Sequence, residues 1–228
     1  VRYAPTNRDQ IRLSVARTVR RPNYDLISPY RQEESPADEA WTIGKPVLTV
    51  SALDSTKAYD GTSFTGGHGV IYSGLVNGET SAVLSGVLTF AGTSQGAVRA
   101  GRYTIVPSGL SSDNYSISYS EGQLEITTRT LAASLGGIVE KNYDGTAEAS
   151  LSALNFLLEG VVSGDRVQLT HPASGKYADA LAGSGKDVTA EGLGLTGPDA
   201  ANYTLAGTSV SGPVGGINPL DDLAVVLR

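Results

Sequence analysis

An all-β fold is expected for this chain, arranged as two small sheet modules in tandem, and three features of its 228 residues point to it. Apolar positions are filled mainly by Val, Leu, Ile and Ala with 11 Tyr, and short apolar alternations are broken by Asn, Asp, Ser and 28 Gly. Runs of this kind between turn-forming residues read as strands. No long window carries a clean period of 3.6, so extended helices are not expected. The third feature is an internal repeat, the strongest signal in the chain. Each module is expected to be a twisted sheet or sandwich of about six to eight strands. A β-grasp-like unit with one short helix is the alternative.

Residues 1–45 form a separate segment. Seven Arg fall between Arg2 and Arg31, opposed by Asp9 and Asp25. An acidic patch follows (Glu33, Glu34, Asp38, Glu39), then the single Trp, Trp41. Ile11, Leu13 and Val15 alternate with Arg12, Ser14 and Ala16, which is the period of a strand with unlike faces. Pro22, Pro29 and Pro36 mark the remainder as irregular, and the segment is expected to be poorly ordered or loosely docked.

From Pro46 the texture changes and the repeat begins. Lys57-Ala58-Tyr59-Asp60-Gly61-Thr62 returns as Lys141-Asn142-Tyr143-Asp144-Gly145-Thr146, an offset of 84. Gly74-Leu75-Val76-Asn77-Gly78-Glu79 returns as Gly160-Val161-Val162-Ser163-Gly164-Asp165, an offset of 86. Asp113-Asn114-Tyr115-Ser116-Ile117 returns as Ala201-Asn202-Tyr203-Thr204-Leu205, an offset of 88. Three motifs in one order at nearly one offset define modules at about 46–128 and 129–219, with short insertions in the second and a tail at 220–228.

Each motif has a physical reading. Asp-Gly is a turn signal, because Asp caps its own turn and Gly accepts a positive φ without steric cost. The preceding Tyr can bury its ring and keep its hydroxyl at the rim of the core. Tyr59, Asp60, Gly61, Tyr143, Asp144 and Gly145 are therefore read as register-fixing structure rather than a ligand site. The Gly-Leu-Val and Gly-Val-Val loops tuck two apolar residues between glycines. Glu79 or Asp165 can then cap exposed N–H groups, with a short helical turn at Glu79–Leu84. Asn114-Tyr115 and Asn202-Tyr203 open alternating strands and also match the glycosylation triplet Asn-x-Ser/Thr, a common chance match. Leu124-Glu125-Ile126-Thr127 runs into Arg129-Thr130-Leu131, so the joint between modules is short and stiff.

Charge and residue types exclude several functions. A formal charge of −6 opposes nucleic-acid binding. The absence of Cys removes disulfides and thiolate metal sites. The absence of Met suggests an internal or processed segment, and no apolar run is long enough for a transmembrane helix. His68 and His171 lie in loops, have no counterparts across the repeat, and read as solvated. Gly183-Ser184-Gly185-Lys186 lacks the spacing of a phosphate loop, since Asp187 follows Lys186. Asp179, Asp187 and Asp199 are too sparse for a calcium site. No catalytic, cofactor or metal residue is assigned, and no enzyme is expected.

The repeat residues resemble the MBG and YDG-type domains of large secreted bacterial proteins, including filamentous haemagglutinin-like adhesins. The second module carries the YDG-type pattern in Lys141–Thr146, Leu158–Asp165 and Gly194–Leu205. The first resembles the MBG type through Gly74–Thr80, Val83–Gly86, Gly101-Arg102-Tyr103 and Asn114-Tyr115. Residues 1–45 are weakly similar to a barrel segment of TonB-dependent outer-membrane receptors, through Val1–Thr6, Leu13–Val19 and Arg21–Tyr24. One strand cannot close a barrel. The resemblance implies a non-catalytic stalk segment of an exported surface adhesin, outer-membrane associated, with neighbouring repeat modules as partners and no cofactor. A carbohydrate- or other ligand-binding surface module, and the extracellular part of such a receptor, are the competing readings.

Overall fold

Gly122–Thr127 alternates buried and exposed residues without a break, placing Leu124 and Ile126 inward and Gln123, Glu125 and Thr127 outward. That period of two is what a strand with one face on a core requires, and it recurs through the computed structural model, which describes residues 44–220. The Arg-rich segment, apart from Gly44 and Lys45, and the end of the C-terminal tail lie outside the described residues.

The first repeat holds seven strands: β1 (Val47–Ala52), β2 (Ser55–Ala58), β3 (Val70–Ser73), β4 (Ser85–Ala91), β5 (Gly101–Ser111), β6 (Ser116–Ser120) and β7 (Gly122–Thr127). They form a small sheet ordered β3-β1-β6 and a larger one ordered β2-β7-β5-β4. β1 runs parallel to β6, and β2 runs parallel to β7 from Ser55 opposite Leu124 to Ala58 opposite Thr127. The chain thus passes three times from the small sheet to the large one, through β1–β2, β3–β4 and β6–β7.

The second repeat holds ten strands: β8 (Arg129–Leu135), β9 (Val139–Asn142), β10 (Glu148–Ser150), β11 (Phe156–Glu159), β12 (Gln168–Thr170), β13 (Ser174–Tyr177), β14 (Gly183–Glu191), β15 (Gly194–Thr196), β16 (Tyr203–Leu205) and β17 (Ser209–Asn218). Its small sheet, β11-β8-β16, reproduces the neighbours and senses of β3-β1-β6. Its large sheet, β10-β13-β14-β17-β9, keeps the parallel pairing of its first and last members, β9 with β17. The strand number exceeds the expected six to eight because β10 is added and β12 and β15 pair in a separate ribbon.

The fold is all-β, as composition and periodicity predict. In place of the short helix entertained at Glu79–Leu84 there is a single 3₁₀ turn, Ser81–Val83, with Thr80 at its N-cap. Glu79 does not cap it. Its carboxylate instead accepts the hydroxyl of Tyr115.

Three apolar cores result. Leu48, Val50 and Tyr115 fill the first. Val139, Ala149, Tyr177, Val188 and Ile217 fill that of the second repeat's large sheet. The middle core joins Ile105, Leu124 and Ile126 of the first repeat to Leu131 and Tyr203 of the second, with Tyr59 among them. Only Thr128 separates β7 from β8, so the backbone crosses between repeats beside this shared core.

A shared core couples the stabilities of its two sides. Leu131, 1% exposed, lies on the second repeat's side. Leu131→Ala is expected to lower stability by about 2–5 kcal/mol, with both repeats still melting together in urea. Two separated transitions, one of them unmoved, would contradict the shared core.

Candidate functional site

The strongest concentration of polar contacts inside an apolar setting lies where the two repeats meet. Tyr59 follows β2 directly. Its N–H donates to the carbonyl of Thr127 at 2.9 Å, extending the parallel ladder by one rung beside the inter-repeat link. This holds the ring against the second repeat, where it meets Tyr203 edge to face with centroids 5.3 Å apart. Such pairs contribute about 0.5–1.5 kcal/mol beyond area burial.

The hydroxyls of both tyrosines converge on one carboxylate. Tyr59 Oη donates to Asp165 Oδ2 at 2.8 Å, and Tyr203 Oη donates to the same oxygen at 2.5 Å. Tyr203 Oη also accepts the N–H of Val162 at 3.0 Å. Asp165 is placed by the turn of its own loop, its N–H donating to the Val162 carbonyl at 3.1 Å. Burial first, and then the hydrogen bond to Asp165, raises the Tyr59 phenol to about 12 and shifts Tyr203 in the same direction. A tyrosinate there would lose water and face a carboxylate.

Two further contacts frame this clamp. Asn202, 2% exposed, accepts the N–H of Ala100 through Oδ1 at 3.0 Å. Gly61 turns with φ +77°, and a Cβ built there would lie 2.8 Å from Val162 Cγ1. Glycine therefore serves both the backbone turn and the close approach. Arg99 and Asp199 add an ion pair at 3.8 Å, with the Arg side chain 66% exposed. At that exposure it contributes little.

The Tyr-Asp-Gly-Thr turns are alike locally and unlike in setting. Asp60 accepts the Thr62 N–H and hydroxyl and pairs with Lys57 at 2.8 Å. Asp144 repeats this with Thr146 and Lys141, also at 2.8 Å. The lysine hydrogen bond, followed by the backbone N–H, lowers each carboxyl to about 2. Yet Tyr59 is 4% exposed and Tyr143 is 37% exposed. Gly145 turns with φ +78°, like Gly61, and a Cβ there would meet no described atom within 4 Å. Asn114 is exposed while Asn202 is buried. Tyr115 is buried against its own loop, donating to Glu79 and accepting the Val76 N–H at 3.1 Å, the pattern of Tyr203. The structure therefore gathers Tyr59, Gly61, Asn202 and Tyr203 at the junction. Tyr115, with Asn114 before it, belongs to the first repeat's separate small-sheet core, and Tyr143, Asp144 and Gly145 follow the second repeat's β9.

Sequence reasoning assigned Tyr59 to the end of its own core and missed Asp165 as its partner and Ala100 as that of Asn202. Asp165 aligns with Glu79 in the repeat, and that preserved acid was the one available signal. The Asn202 glycosylation triplet is closed off, since the side chain is buried at the junction. His68 is exposed, as expected of a loop residue. It also bonds Ser55 Oγ through Nδ1 at 2.6 Å and meets Phe64 edge to face. His171 stacks on Phe156 with centroids 4.6 Å apart. Lys186, on β14, is held at 2.5 Å by Asp179 of the β13–β14 connection. Among the described residues no group of three or more His, Asp or Glu side chains is placed to hold a metal ion, and no described helix is long and apolar enough to cross a membrane.

The tyrosine shifts fix an alkaline response. The folded Tyr59 phenol holds its proton more tightly than an unfolded tyrosine, whose pKa is about 10. Its stabilisation is therefore complete below that value and is lost progressively as pH rises toward 12. Absorbance at 295 nm should show a late-titrating component, shared with the other raised tyrosines, that Tyr59→Phe diminishes. An unchanged curve in that variant would refute the junction assignment. The shifts of Asp60 and Asp144 run the other way. Their contribution is present above the ordinary carboxylate range and is lost as pH falls toward 2, which carboxyl carbon shifts in an acid titration should report at both positions.

Residues 48–125 match the MBG domain (YGX type), and residues 127–211 match the YDG domain. The boundary between the matches falls at the end of β7, beside the clamp. No curated protein and no solved structure gives a significant match. The resemblance in the repeat motifs leads to the same assignment: the described part of the chain is an MBG-type domain followed directly by a YDG-type domain.

Proposed function

We propose that this chain is a stiff, non-catalytic repeat segment of an exported bacterial surface protein, serving as the stalk of an adhesin. The observation that carries this reading is the continuous core at the junction. Tyr59 of one repeat is sealed between Tyr203 and Asp165 of the next, and one residue, Thr128, links their strands. A spacer needs this property, because relative motion of its modules would waste the reach that the chain supplies. MBG and YDG are not enzyme families, and both occur in adhesin-like surface proteins, which supports the assignment. The acidic balance keeps neighbouring copies from pairing side to side.

Exposed tyrosines beside polar loops would favour a glycan-binding module. Tyr59 is consumed by the junction and Tyr72 packs partly buried against the first core, which leaves Tyr143, 37% exposed, to support it. The receptor reading rests on residues 1–45, nearly all outside the described residues.

Stiffness can be measured directly, because the chain has no cysteine of its own. Spin labels at Val87→Cys and Leu154→Cys, exposed sites in different repeats, should give one narrow distance distribution. Adding Tyr59→Ala should broaden it. A broad distribution in the otherwise unaltered chain would defeat the stalk reading. Fractionation of the producing cell should recover the parent protein at the surface or in the medium, and a cytosolic location would defeat its export.

A further inference from the structure

The junction is made of two unlike faces, and the chain carries a second copy of each. One face is a key: the Tyr-Asp-Gly-Thr turn after the first strand of the large sheet, with Tyr59, Gly61 and the N–H of Ala100. The other is a socket on the small sheet: Val162, Asp165, Asn202 and Tyr203. Within the chain the first repeat's key fills the second repeat's socket.

The second repeat's key has the same internal build. Lys141, Asp144 and Thr146 reproduce the hydrogen bonds of Lys57, Asp60 and Thr62. The Tyr143 N–H donates to the Asn218 carbonyl at 2.8 Å, as that of Tyr59 does to Thr127. Gly183, at φ +157°, stands where Gly101, at φ +154°, follows Ala100, so Ala182 is the counterpart of Ala100. The first repeat's socket is built as well. Tyr115 is locked to Glu79 and to the Val76 N–H, while Val76 and Asn114 are exposed. In the filled socket one carboxylate oxygen takes two tyrosine hydroxyls. Among the described residues Glu79 takes the hydroxyl of Tyr115, and by analogy with Asp165 an incoming tyrosine would supply the second.

We infer that the Tyr143 end of one copy of this chain docks into the Glu79–Tyr115 socket of a second copy, head to tail, repeating the internal junction between molecules. The contact is heterologous, so each docked copy presents a fresh key and a fresh socket and the association propagates in one direction. The internal joint gains from the one-residue link, which holds the faces at high effective concentration. Docking between free copies lacks this and also lacks the Arg99–Asp199 pair, whose counterparts are Leu181 and Ser111. It is correspondingly weak and calls for trapping.

The proposal rests on reading the chain as a stiff repeat segment, and cysteine pairs separate the two. A Cβ on Gly61 lies 3.9 Å from Val162 Cβ, within the span of about 3.5–4.5 Å that a disulfide bridges. Gly61→Cys with Val162→Cys should close within the chain under a mild thiol oxidant such as diamide. Cysteine strains the positive φ of Gly61, so failure to close, together with a broad spin-label distance distribution in the chain with native Gly61 and Val162, would overturn the internal junction and both readings with it. Chains carrying Val76→Cys and Gly145→Cys, mixed and oxidised, should form the mixed dimer severalfold above a control mixture of Val87→Cys and Gly145→Cys. Yield no greater than the control, with the internal pair closing, would overturn the docking alone. Since cysteine strains the positive φ of Gly145, a second measurement uses the unaltered chain. Amide shifts of Val76, Asn114 and Gly145 should move together with rising protein concentration, and Tyr143→Ala should suppress the movement. Shifts that stay fixed, or move equally in Tyr143→Ala, would also overturn it.

Discussion

One carboxylate holding two phenols organises this molecule. Asp165 takes the hydroxyls of Tyr203, from its own repeat, and Tyr59, from the preceding one. A lone carboxylate at an apolar boundary is costly unless its lone pairs are met, and a lone buried tyrosine hydroxyl is costly for the same reason. Each group is satisfied only when the repeats are seated. The apolar contacts around them, Leu124 and Ile126 on one side and Leu131 and Val162 on the other, give the adhesion. The polar centre gives the register: a slip of either repeat would strand three polar groups at once.

The rest of the architecture serves that seating. Parallel pairing of β2 with β7 places Tyr59 level with the exit from the first repeat. Continuation of β7 into β8 after one residue leaves the second small sheet no freedom to drift. Gly61 lets the turn approach Val162 more closely than a side chain would allow.

Much of this was legible in the residues. Alternation at Leu124-Glu125-Ile126-Thr127 gave the strand, Asp-Gly gave the turns, and the recurrence of three motifs gave the duplication. Periodicity reports which face a strand buries but not against what, so it could not show that Tyr59 is covered by another repeat 106 residues away in sequence. Nor could it separate Tyr59 from Tyr143, whose local sequences are nearly the same and whose exposures differ because only one has a neighbour seated on it. Parallel pairing of distant strands leaves no local mark either, which hid the relation of β2 to β7. Glu79 reads as a helix cap because an acid stands just before Thr80-Ser81-Ala82, where Thr80 takes that place. The tyrosine that claims it lies in the next motif along the repeat.

The side-by-side parallel strands also decide how a repeat bears load. Tension entering through β1 pulls β2 backward, while tension leaving through β7 pulls that strand forward. The two are direct neighbours over Ser55–Ala58, and β9 and β17 stand in the same relation over Val139–Asn142. Such a pair is sheared along its length, so its rungs resist together instead of opening one by one as in a peeled hairpin. A tether anchored at one end and gripped at the other is thereby strongest along the direction in which it is stretched.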